Sequence, residues 1–137
     1  MSESLSALMA LSSAFGRFNK KIDRALSVHG ISFTEFQVLE KLAQSPNQVM
    51  SRVELAEATN LTASGITRLL MPMEKIHLID KEKNSRDARV SLVKLTTAGK
   101  EVYQDASVTS QSCSEGTTKQ LTEKQVAQLQ LFLSKLS

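Results

Sequence analysis

The amino-acid sequence predicts a mainly α-helical fold with a small β-hairpin, in which a winged helix-turn-helix lies between N-terminal and C-terminal helices. Three observations predict it. Two short helices joined by a tight turn are expected within residues 51–70, a basic hairpin within residues 78–95, and helical apolar stripes at both ends of the chain. We therefore expect a single domain with a three-helix core, a hairpin and two flanking helical regions.

The composition is that of an ordinary globular chain and excludes several classes of protein. Of the 137 residues, 41% are hydrophobic and 23% are charged, which is enough for one modest core. No apolar run reaches the ~20 residues of a membrane span, and the N-terminus lacks a signal-peptide pattern, so we expect a cytoplasmic protein without membrane contact. A single cysteine, Cys113, excludes an internal disulfide and a cysteine-only metal site.

The first two helices follow from apolar spacing and capping. Apolar residues recur in steps of three and four and form one helical stripe, which ends at His29–Gly30. The stripe consists of Leu8, Leu11, Phe15, Phe18, Ile22 and Leu26. Ser32 and Glu35 then form a capping box that begins a second helix, and the loop at residues 45–47 closes it.

The spacing of residues 51–70 predicts the helix-turn-helix. A second capping box, Ser51 with Glu54, begins a short helix. Ala56 is small enough for two helices to meet there, and Asn60 tolerates the left-handed conformation of a tight turn. The apolar residues that follow return to the core at regular helical intervals. The alternative interpretation is a pair of amphipathic helices in an ordinary bundle.

The outer face of the next helix carries small polar residues and one arginine. Short side chains near a helix start allow close approach to base edges, and the helix N-terminus favours an anion such as phosphate. Arg68 can donate to a phosphate or to a guanine edge. Capping alone is the alternative role for Thr62 and Ser64. We predict DNA contacts from the start of this helix and the start of the preceding one, at Ser51, Arg52, Thr62, Ala63, Ser64, Thr67 and Arg68.

Residues 78–95 are predicted to form a β-hairpin with an exposed basic tip. An arginine on such a loop can enter a narrow minor groove, so Arg86 and Arg89 are predicted DNA contacts. Ser85 and Asp87 belong to the same predicted contact set, and we expect Asp87 to pair with an arginine and fix the direction of its guanidinium. A solvated charged turn is the alternative interpretation of this loop.

Positive charge is concentrated in the same part of the chain. Residues 51–100 hold nine of the 17 Lys and Arg and six of the 14 Asp and Glu, so the remaining basic and acidic residues balance at eight each. The whole net charge of +3 therefore belongs to this segment, which favours a polyanionic partner. A helix for the major groove followed by a cationic tip for the minor groove indicates binding of double-stranded DNA.

The C-terminal third predicts two more helices. The first begins near Thr96, but residues 107–118 are rich in Ser and Thr, which are poor helix formers. This part is expected to be frayed, or to be held by tertiary or intersubunit contacts. The last helix begins with the capping box of Thr122 and Gln125 and carries an apolar stripe with few intrachain partners. Because the first and last helices both carry unmatched apolar stripes, we expect a homodimer.

Taken together, these motifs resemble those of the MarR-type winged-helix transcriptional regulators. The resemblance covers nearly the whole chain and is carried by residues 33–39, 51–70 and 74–76, and most specifically by residues 85–89 leading to 94–99. It implies a single domain with dimerisation helices in residues 1–30 and 97–137 and a DNA-binding region in residues 31–96.

The resemblance also implies a function. Members of this family are similar in being homodimers that bind pseudo-palindromic operators, and many release DNA when a small phenolic or lipophilic ligand or an oxidant acts. A repressor with a possible small-molecule effector is therefore the implied role. The recognition helix would span residues 62–76, and Arg86 and Arg89 would be the wing contacts, with Asp87 supporting them.

The chain departs from the family pattern at two positions. Pro72 lies inside the implied recognition helix and is expected to bend it, and His77 stands where the family usually has glycine, so a turn there carries a conformational cost. The family's effector pocket lies between the dimerisation helices and the DNA-binding region. The candidates to line this pocket are Phe15, Phe18, Phe36 and Tyr103. Each of them is equally suited to the hydrophobic core, and we expect them there.

Three other classes of protein are less well supported. A winged-helix module that binds protein instead of DNA would be expected to lose Arg68, Arg86 and Arg89. An enzyme is not expected, and neither is a cofactor or a metal, because the sequence has two histidines and lacks metal-ligand spacing, a phosphate loop and a nucleophile motif. An oxidant sensor needs a stabilised thiolate, but no basic residue lies close to Cys113 in sequence, so we expect a packing residue.

Overall fold

The computed structural model describes residues 2–137, which form six α-helices and three short β-strands. The helices are α1 (Glu3–Leu26), α2 (Phe33–Gln44), α3 (Arg52–Ala58), α4 (Ala63–Lys75), α5 (Thr97–Thr117) and α6 (Glu123–Ser134). The strands are β1 (Val49–Ser51), β2 (Ile79–Lys83) and β3 (Ser91–Leu95), and short 3-10 turns lie at Ser27–His29 and Pro46–Gln48. The mainly α-helical prediction is confirmed. Within this part of the chain, no helix combines the length and the apolar character needed to cross a membrane.

The sheet is antiparallel, and β3 is its central strand in the order β1–β3–β2. Ile79 pairs with Leu95 in the β2–β3 hairpin, and Val49 pairs with Lys94 on the other side of β3. The predicted hairpin is therefore confirmed, but β1 makes it a three-stranded sheet. Sequence analysis missed β1 because three residues carry no periodicity and its pairing partner lies far away in the chain.

Capping boxes begin three helices, as predicted. The Ser51 amide donates to Glu54 Oε1 at 3.0 Å, and the Glu54 amide donates to Ser51 Oγ at 3.1 Å. The same reciprocal pair of bonds is present at Ser32 and at Thr122. Each box satisfies two of the amides that a helix start leaves without backbone partners. Local sequence thus fixes where α2, α3 and α6 begin.

Two left-handed residues shape the ends of α3 and α4. Asn60 has φ 57°, as the helix-turn-helix spacing predicted. His77 has φ 63°, which is costly for a residue with a side chain, and the Leu78 amide donates to the Met73 carbonyl at 3.0 Å across that turn. α4 continues through Pro72 to Lys75, so the proline does not end the helix, and the expected bend stays a prediction.

The core lies in the winged-helix region (residues 31–96) and is closed by the end of α1 and the start of α5. The large side chains that are almost completely buried are Ile22, Leu26, Val38, Leu39, Leu42, Leu55, Ile66, Leu70, Met73, Ile79 and Val93. They come mainly from α2, α3, α4 and the sheet, with two residues from α1. This packing supports the surface on which the predicted DNA-binding residues stand.

The terminal helices (α1, α5 and α6) are packed less completely. No residue of α6 is buried, and the side chains of α1 that precede Phe18 are all exposed. Phe15 is 55% exposed, so the expectation that it belongs to the core is wrong for the single chain. Only Ile22 and Leu26 of the predicted apolar stripe are buried in the chain's own core.

α5 is continuous through the segment rich in Ser and Thr. Ser107 Oγ donates to the Tyr103 carbonyl at 2.7 Å, and Ser114 Oγ donates to the Ser110 carbonyl at 2.8 Å, so these hydroxyls are satisfied within the helix. The Nε2 atom of His29 lies 2.7 Å from Thr109 Oγ1 and joins α5 to the turn after α1. Tertiary contacts therefore hold this segment in helical form, and it is not frayed.

Gly99 allows α5 to begin directly against the end of α4. The Gly99 amide donates to Thr96 Oγ1 at 2.9 Å, and that hydroxyl donates to the His77 carbonyl at 2.6 Å. A Cβ atom on Gly99 would overlap the carbonyl oxygen of Leu78. The terminal helices and the winged-helix region therefore meet here without space for a larger side chain.

Candidate nucleic-acid interface

The start of α4 presents an uncovered face to solvent. The five residues predicted on this face are all exposed, namely Thr62, Ala63, Ser64, Thr67 and Arg68. Thr62 is the N-cap, since the Gly65 amide donates to Thr62 Oγ1 at 3.0 Å, so its capping role is confirmed. The first amides of a helix have no partner inside it, and they add positive potential at this end. The start of α4 is thus open to an anionic ligand.

Arg52 connects three elements of the winged-helix region. Its Nη1 atom donates to Thr67 Oγ1 on α4 at 3.0 Å, and its Nε atom donates to Ser91 Oγ on β3 at 3.2 Å. Thr67 Oγ1 in turn donates to the Ala63 carbonyl at 3.0 Å. Arg52 and Thr67, which were predicted as DNA contacts, therefore also position α4 against the loop end of the β2–β3 hairpin.

Ser51, also a predicted contact, lies at the junction of β1 and α3. Its hydroxyl accepts the Glu54 amide, and its amide donates to the Glu54 carboxylate, so capping occupies both groups. It is half-buried. The structure therefore gives Ser51 a definite role in starting α3, immediately before Arg52.

The loop between β2 and β3, which we call the wing tip (residues 84–90), is folded by its own side chains. Asn84 Oδ1 accepts the Arg86 amide at 2.8 Å and the Asp87 amide at 3.3 Å. Asp87 Oδ1 accepts the Arg89 amide at 3.0 Å. Such side-chain bonds to nearby amides replace a backbone turn. Ser85 is exposed at the apex of this turn.

Asp87 pairs with Arg89, which confirms the expectation that it orients an arginine. Arg89 Nε donates to Asp87 Oδ1 at 3.1 Å, and Arg89 Nη2 donates to Asp87 Oδ2 at 3.3 Å. The Arg89 side chain is 91% exposed. Its side-chain bond, followed by its backbone bond, lowers the pKa of Asp87 below the ordinary value. Asp87 is therefore ionised at neutral pH and holds the guanidinium in one direction.

Two other arginines are free. Within residues 2–137, neither the Arg68 nor the Arg86 side chain makes a hydrogen bond or an ion pair, and both are exposed. A free guanidinium on the surface keeps its donors available for phosphate or base oxygens. These two side chains are thus available for an anionic ligand at α4 and at the wing tip.

A basic surface runs from α4 to the hairpin through Lys81, which sequence analysis missed. Lys81 lines one groove together with Arg68 and Lys75, and a second groove together with Lys83 and Arg89. It also lies 3.7 Å from the carboxylate of Glu74. The spacing of Lys81 and Lys83 could have predicted a basic face on β2, since residues two apart share one face of a strand.

The described residues offer little for metal or thiol chemistry. No group of three or more His, Cys, Asp or Glu side chains within residues 2–137 is arranged to hold a metal ion. Cys113 is half-buried and packs against the core, in agreement with its interpretation as a packing residue. The arrangement of side chains at α3, α4 and the wing tip is instead suited to binding a polyanion.

A known family has this arrangement. The model of the MarR family matches residues 31–91, which span α2, α3, α4 and β2 and reach the first residue of β3. Over this segment, which is 61 of the 137 residues, the chain is similar to the MarR family. This confirms the resemblance inferred from the sequence and places the matched segment in the winged-helix region.

Two curated relatives come from Bacillus subtilis. The HTH-type transcriptional regulator MhqR is 27% identical over 97 residues, which are 71% of this chain and 66% of the relative. The HTH-type transcriptional repressor YetL is also 27% identical over 97 residues, which are 71% of this chain and 58% of the relative. The chain spans about two thirds or less of the length of these relatives. Both are named as regulators, in line with the expectation that the chain is not an enzyme.

Solved MarR-family structures have the same fold. Sco3205 of Streptomyces coelicolor, solved in complex with DNA, superposes with a TM-score of 0.89 at 23% identity, covering 98% of this chain and 85% of that one. A MarR variant from Escherichia coli, solved with operator DNA, gives a TM-score of 0.84 at 25% identity. The superposition covers 97% of this chain and 93% of that one. The winged helix-turn-helix with terminal helices is therefore confirmed.

Proposed function

We propose that this chain is a MarR-family, sequence-specific DNA-binding transcriptional regulator that acts as a homodimer on a pseudo-palindromic operator. The observation that carries the proposal is the bridge made by Arg52 between Thr67 on α4 and Ser91 on β3. It holds the exposed start of α4 and the loop end of the cationic hairpin on one continuous surface. A protein that inserts a helix in one groove and a loop in the next needs this fixed relation.

In the proposed complex, α4 lies in the major groove and the wing tip reaches an adjacent minor groove. The proposed DNA-binding residues are Ser51, Arg52, Thr62, Ala63, Ser64, Thr67, Arg68, Ser85, Arg86, Asp87 and Arg89. Short side chains at the start of α4 let the backbone approach base edges, while arginines supply phosphate and minor-groove contacts. Sco3205 and a MarR variant, which share this fold, were solved in complex with DNA, which supports DNA as the ligand.

We propose that residues 1–30 and 97–137 form the dimerisation region, and residues 31–96 the DNA-binding region. α6 exposes a run of large apolar side chains, at Val126, Leu129, Leu131, Phe132 and Leu133. α1 exposes another, at Leu5, Leu8, Met9, Leu11 and Phe15. Apolar surface of this extent marks an interaction site, and a second copy of the same chain offers a matching one. Two copies would place two recognition helices about 34 Å apart, one turn of DNA.

Repression in the cytoplasm is the proposed outcome of operator binding. A dimer seated on an operator blocks access to the same stretch of DNA, and the relative YetL is named as a transcriptional repressor. We also propose that binding of a small ligand releases the chain from DNA. The second candidate, a winged-helix module that binds protein, is disfavoured by the free guanidinium groups of Arg68 and Arg86, which a protein-binding surface would not require.

The proposal is tested by selecting genomic DNA fragments with the purified chain and measuring the mass of the bound species. We expect enrichment of an inverted repeat bound by two chains. Arg86→Ala should lose most of the enrichment, and Arg24→Ala, an exposed arginine at the end of α1, should retain it. No enrichment by a folded dimer would contradict DNA reading and favour the protein-binding alternative.

A further inference from the structure

The exposed face of α4 continues beyond the residues that were predicted to contact DNA. Met71 lies on this face, and its side chain is 62% exposed. Met71 follows Ser64 by seven residues, Thr67 by four and Arg68 by three, so the four side chains share one side of the helix. The side chains that α4 buries are on the opposite side, at Ile66, Leu70 and Met73. Met71 therefore extends the exposed face by one more turn.

Cations flank the Met71 side chain. It lines an open surface groove of about 640 Å³ between α4 and β2, together with Arg68, Lys75 and Lys81. Arg68 and Lys75 are exposed, and neither takes part in an ion pair within residues 2–137. Glu74 also lines the groove, but its carboxylate lies 3.7 Å from Lys81 Nζ. The groove thus combines a net positive charge with one large apolar side chain that is open to solvent.

The major groove of DNA has the complementary chemistry. Phosphates form its edges, and each thymine places a C5 methyl group on its floor, where an apolar side chain can contact it. A recognition helix in this groove can read bases through side chains at positions i, i+3, i+4 and i+7. Ser64, Thr67, Arg68 and Met71 have that spacing. The methionine side chain is flexible and polarizable, so it adapts to a neighbouring apolar group.

We propose that Met71 contacts the C5 methyl group of a thymine in each half-site of the operator, and that Lys75 contacts a phosphate at the edge of the same groove. The inference rests on the proposed DNA-binding function and adds a base preference to it. Met71 favours thymine over cytosine, because cytosine lacks the methyl group and presents an amino donor instead. A phosphate contact carries no base preference, so Lys75 contributes affinity alone.

The test replaces each thymine of the selected operator by uracil, which removes the C5 methyl group and leaves base pairing unchanged. Binding of the full chain is measured by fluorescence anisotropy. We expect one thymine position at which the exchange in both half-sites weakens wild-type binding about fifteenfold, or about fourfold for each methyl group that loses its contact. Met71→Ala should bind the thymine operator more weakly than wild type does. At that same position, uracil should change the affinity of Met71→Ala by less than about twofold, because the contact is already absent.

Ile76→Ala is the matched control for Met71→Ala. Ile76 is 54% exposed at the end of the same helix, but it does not line the groove. We expect this variant to keep the full sensitivity to uracil. Both variants should keep the fold, since both side chains are exposed, and circular dichroism checks this. If no thymine position loses its sensitivity in Met71→Ala, or if Ile76→Ala loses the same sensitivity, the assignment of thymine reading to Met71 is overturned.

Lys75→Gln tests the phosphate contact. It should weaken binding to the thymine operator and to the uracil operator by the same factor. The slope of log Kd against log salt should fall by about two for the dimer, roughly 0.9 for each chain. Arg24→Ala, which changes a cation on α1, should keep the wild-type slope. An unchanged slope in Lys75→Gln would overturn the assignment of Lys75 to a phosphate.

Operator selection with the wild-type chain separates this inference from the proposed function. If the chain selects an operator that lacks thymine in its half-sites, or one that is insensitive to uracil at every position, thymine reading by Met71 fails alone. If it selects no DNA fragment, the proposed function fails, and the inference fails with it.

Discussion

The winged-helix region and the terminal helices place their apolar residues differently. In the winged-helix region, α2, α3, α4 and the sheet bury their apolar side chains within one chain. Nine of the largest are almost completely enclosed, at Val38, Leu39, Leu42, Leu55, Ile66, Leu70, Met73, Ile79 and Val93. In the terminal helices, α6 buries none and most of α1 is open to solvent. The first region thus buries most of its apolar surface within the chain, with α1 and α5 closing its core, whereas the apolar side chains that the terminal helices expose form the surface that the proposed dimer would cover.

The largest effect is expected from placing charge on the open stripe of α6. The double substitution Leu129→Glu and Leu133→Glu should abolish the dimer, because two buried carboxylates on each chain would lack partners. Operator affinity should fall by about a hundredfold or more, since each recognition helix would then bind alone. Sedimentation and DNA titration measure the two effects.

The matched control for α6 is Gln128→Glu with Gln130→Glu, which adds the same charge to the same helix. We expect this variant to remain dimeric. If both double variants dissociate, charge and not the apolar stripe would be responsible. If neither does, the terminal helices do not form the interface.

Two glycines on α5 lie in different surroundings. Gly99 packs where α5 meets the winged-helix region, and Gly116 lies where α5 is open. Gly99→Ala should lower the free energy of unfolding by about 1–3 kcal/mol, because its methyl group would overlap the Leu78 carbonyl. Gly116→Ala should raise it by about 0.5–1 kcal/mol, since space around Gly116 is open and alanine favours a helix. Urea unfolding measures both. The same sign for the two changes would mean that the junction is looser than described.

Much of the winged-helix region was predictable because its signals are local. Ser51 and Glu54 form their capping box within one turn, and Asn60 takes the left-handed conformation that the spacing required. Asp87 and Arg89 are two residues apart, so their ion pair could also be expected. These features depend on neighbours in the sequence, and for that reason the structure agrees with the prediction.

Other features depend on distant residues and were missed. The bridge from Arg52 to Thr67 and Ser91 joins three elements, and β1 exists only as a partner of β3. The exposure of Phe15 was also not predicted, because an apolar stripe looks the same whether it packs on its own chain or on another. Periodicity identifies the face of a helix that is buried but not the partner that covers it.

The Arg52 bridge gives the next largest expected effect. Arg52→Lys keeps the charge but cannot span both hydroxyls, so preference for the operator over a scrambled fragment should fall about fivefold while affinity for the scrambled fragment is retained. Thr67→Val should act in the same direction, because it removes the acceptor and keeps the shape. Thr67→Ser keeps the hydroxyl and should be nearly neutral. An unchanged preference in Arg52→Lys would show that the bridge does not position α4.

The smallest effect concerns the wing tip and is read by NMR titration of Asp87. Its pKa should lie below the ordinary value and should rise towards it in Arg89→Ala, which removes the main cause of the shift. Because the pKa of Asp87 is lower in the folded chain than in the unfolded chain, the Asp87–Arg89 pair stabilises the fold fully at pH values above the ordinary pKa of an aspartate. This stabilisation is lost as the pH falls through the lowered pKa. Arg86→Ala should leave the Asp87 pKa unchanged, since the Arg86 side chain does not touch it. A shift of equal size in both variants would contradict the Asp87–Arg89 assignment.

The most direct test of the account is the salt dependence of operator binding, measured by fluorescence anisotropy on the best selected fragment. For a dimer that contacts phosphates through its winged-helix regions, log Kd should rise steeply and linearly with log salt, and Arg86→Ala should reduce the slope by about two, roughly 0.9 for each chain. Arg24→Ala should keep the wild-type slope. A slope near zero, or equal slopes for wild type and Arg86→Ala, would contradict the assignment of this surface to DNA.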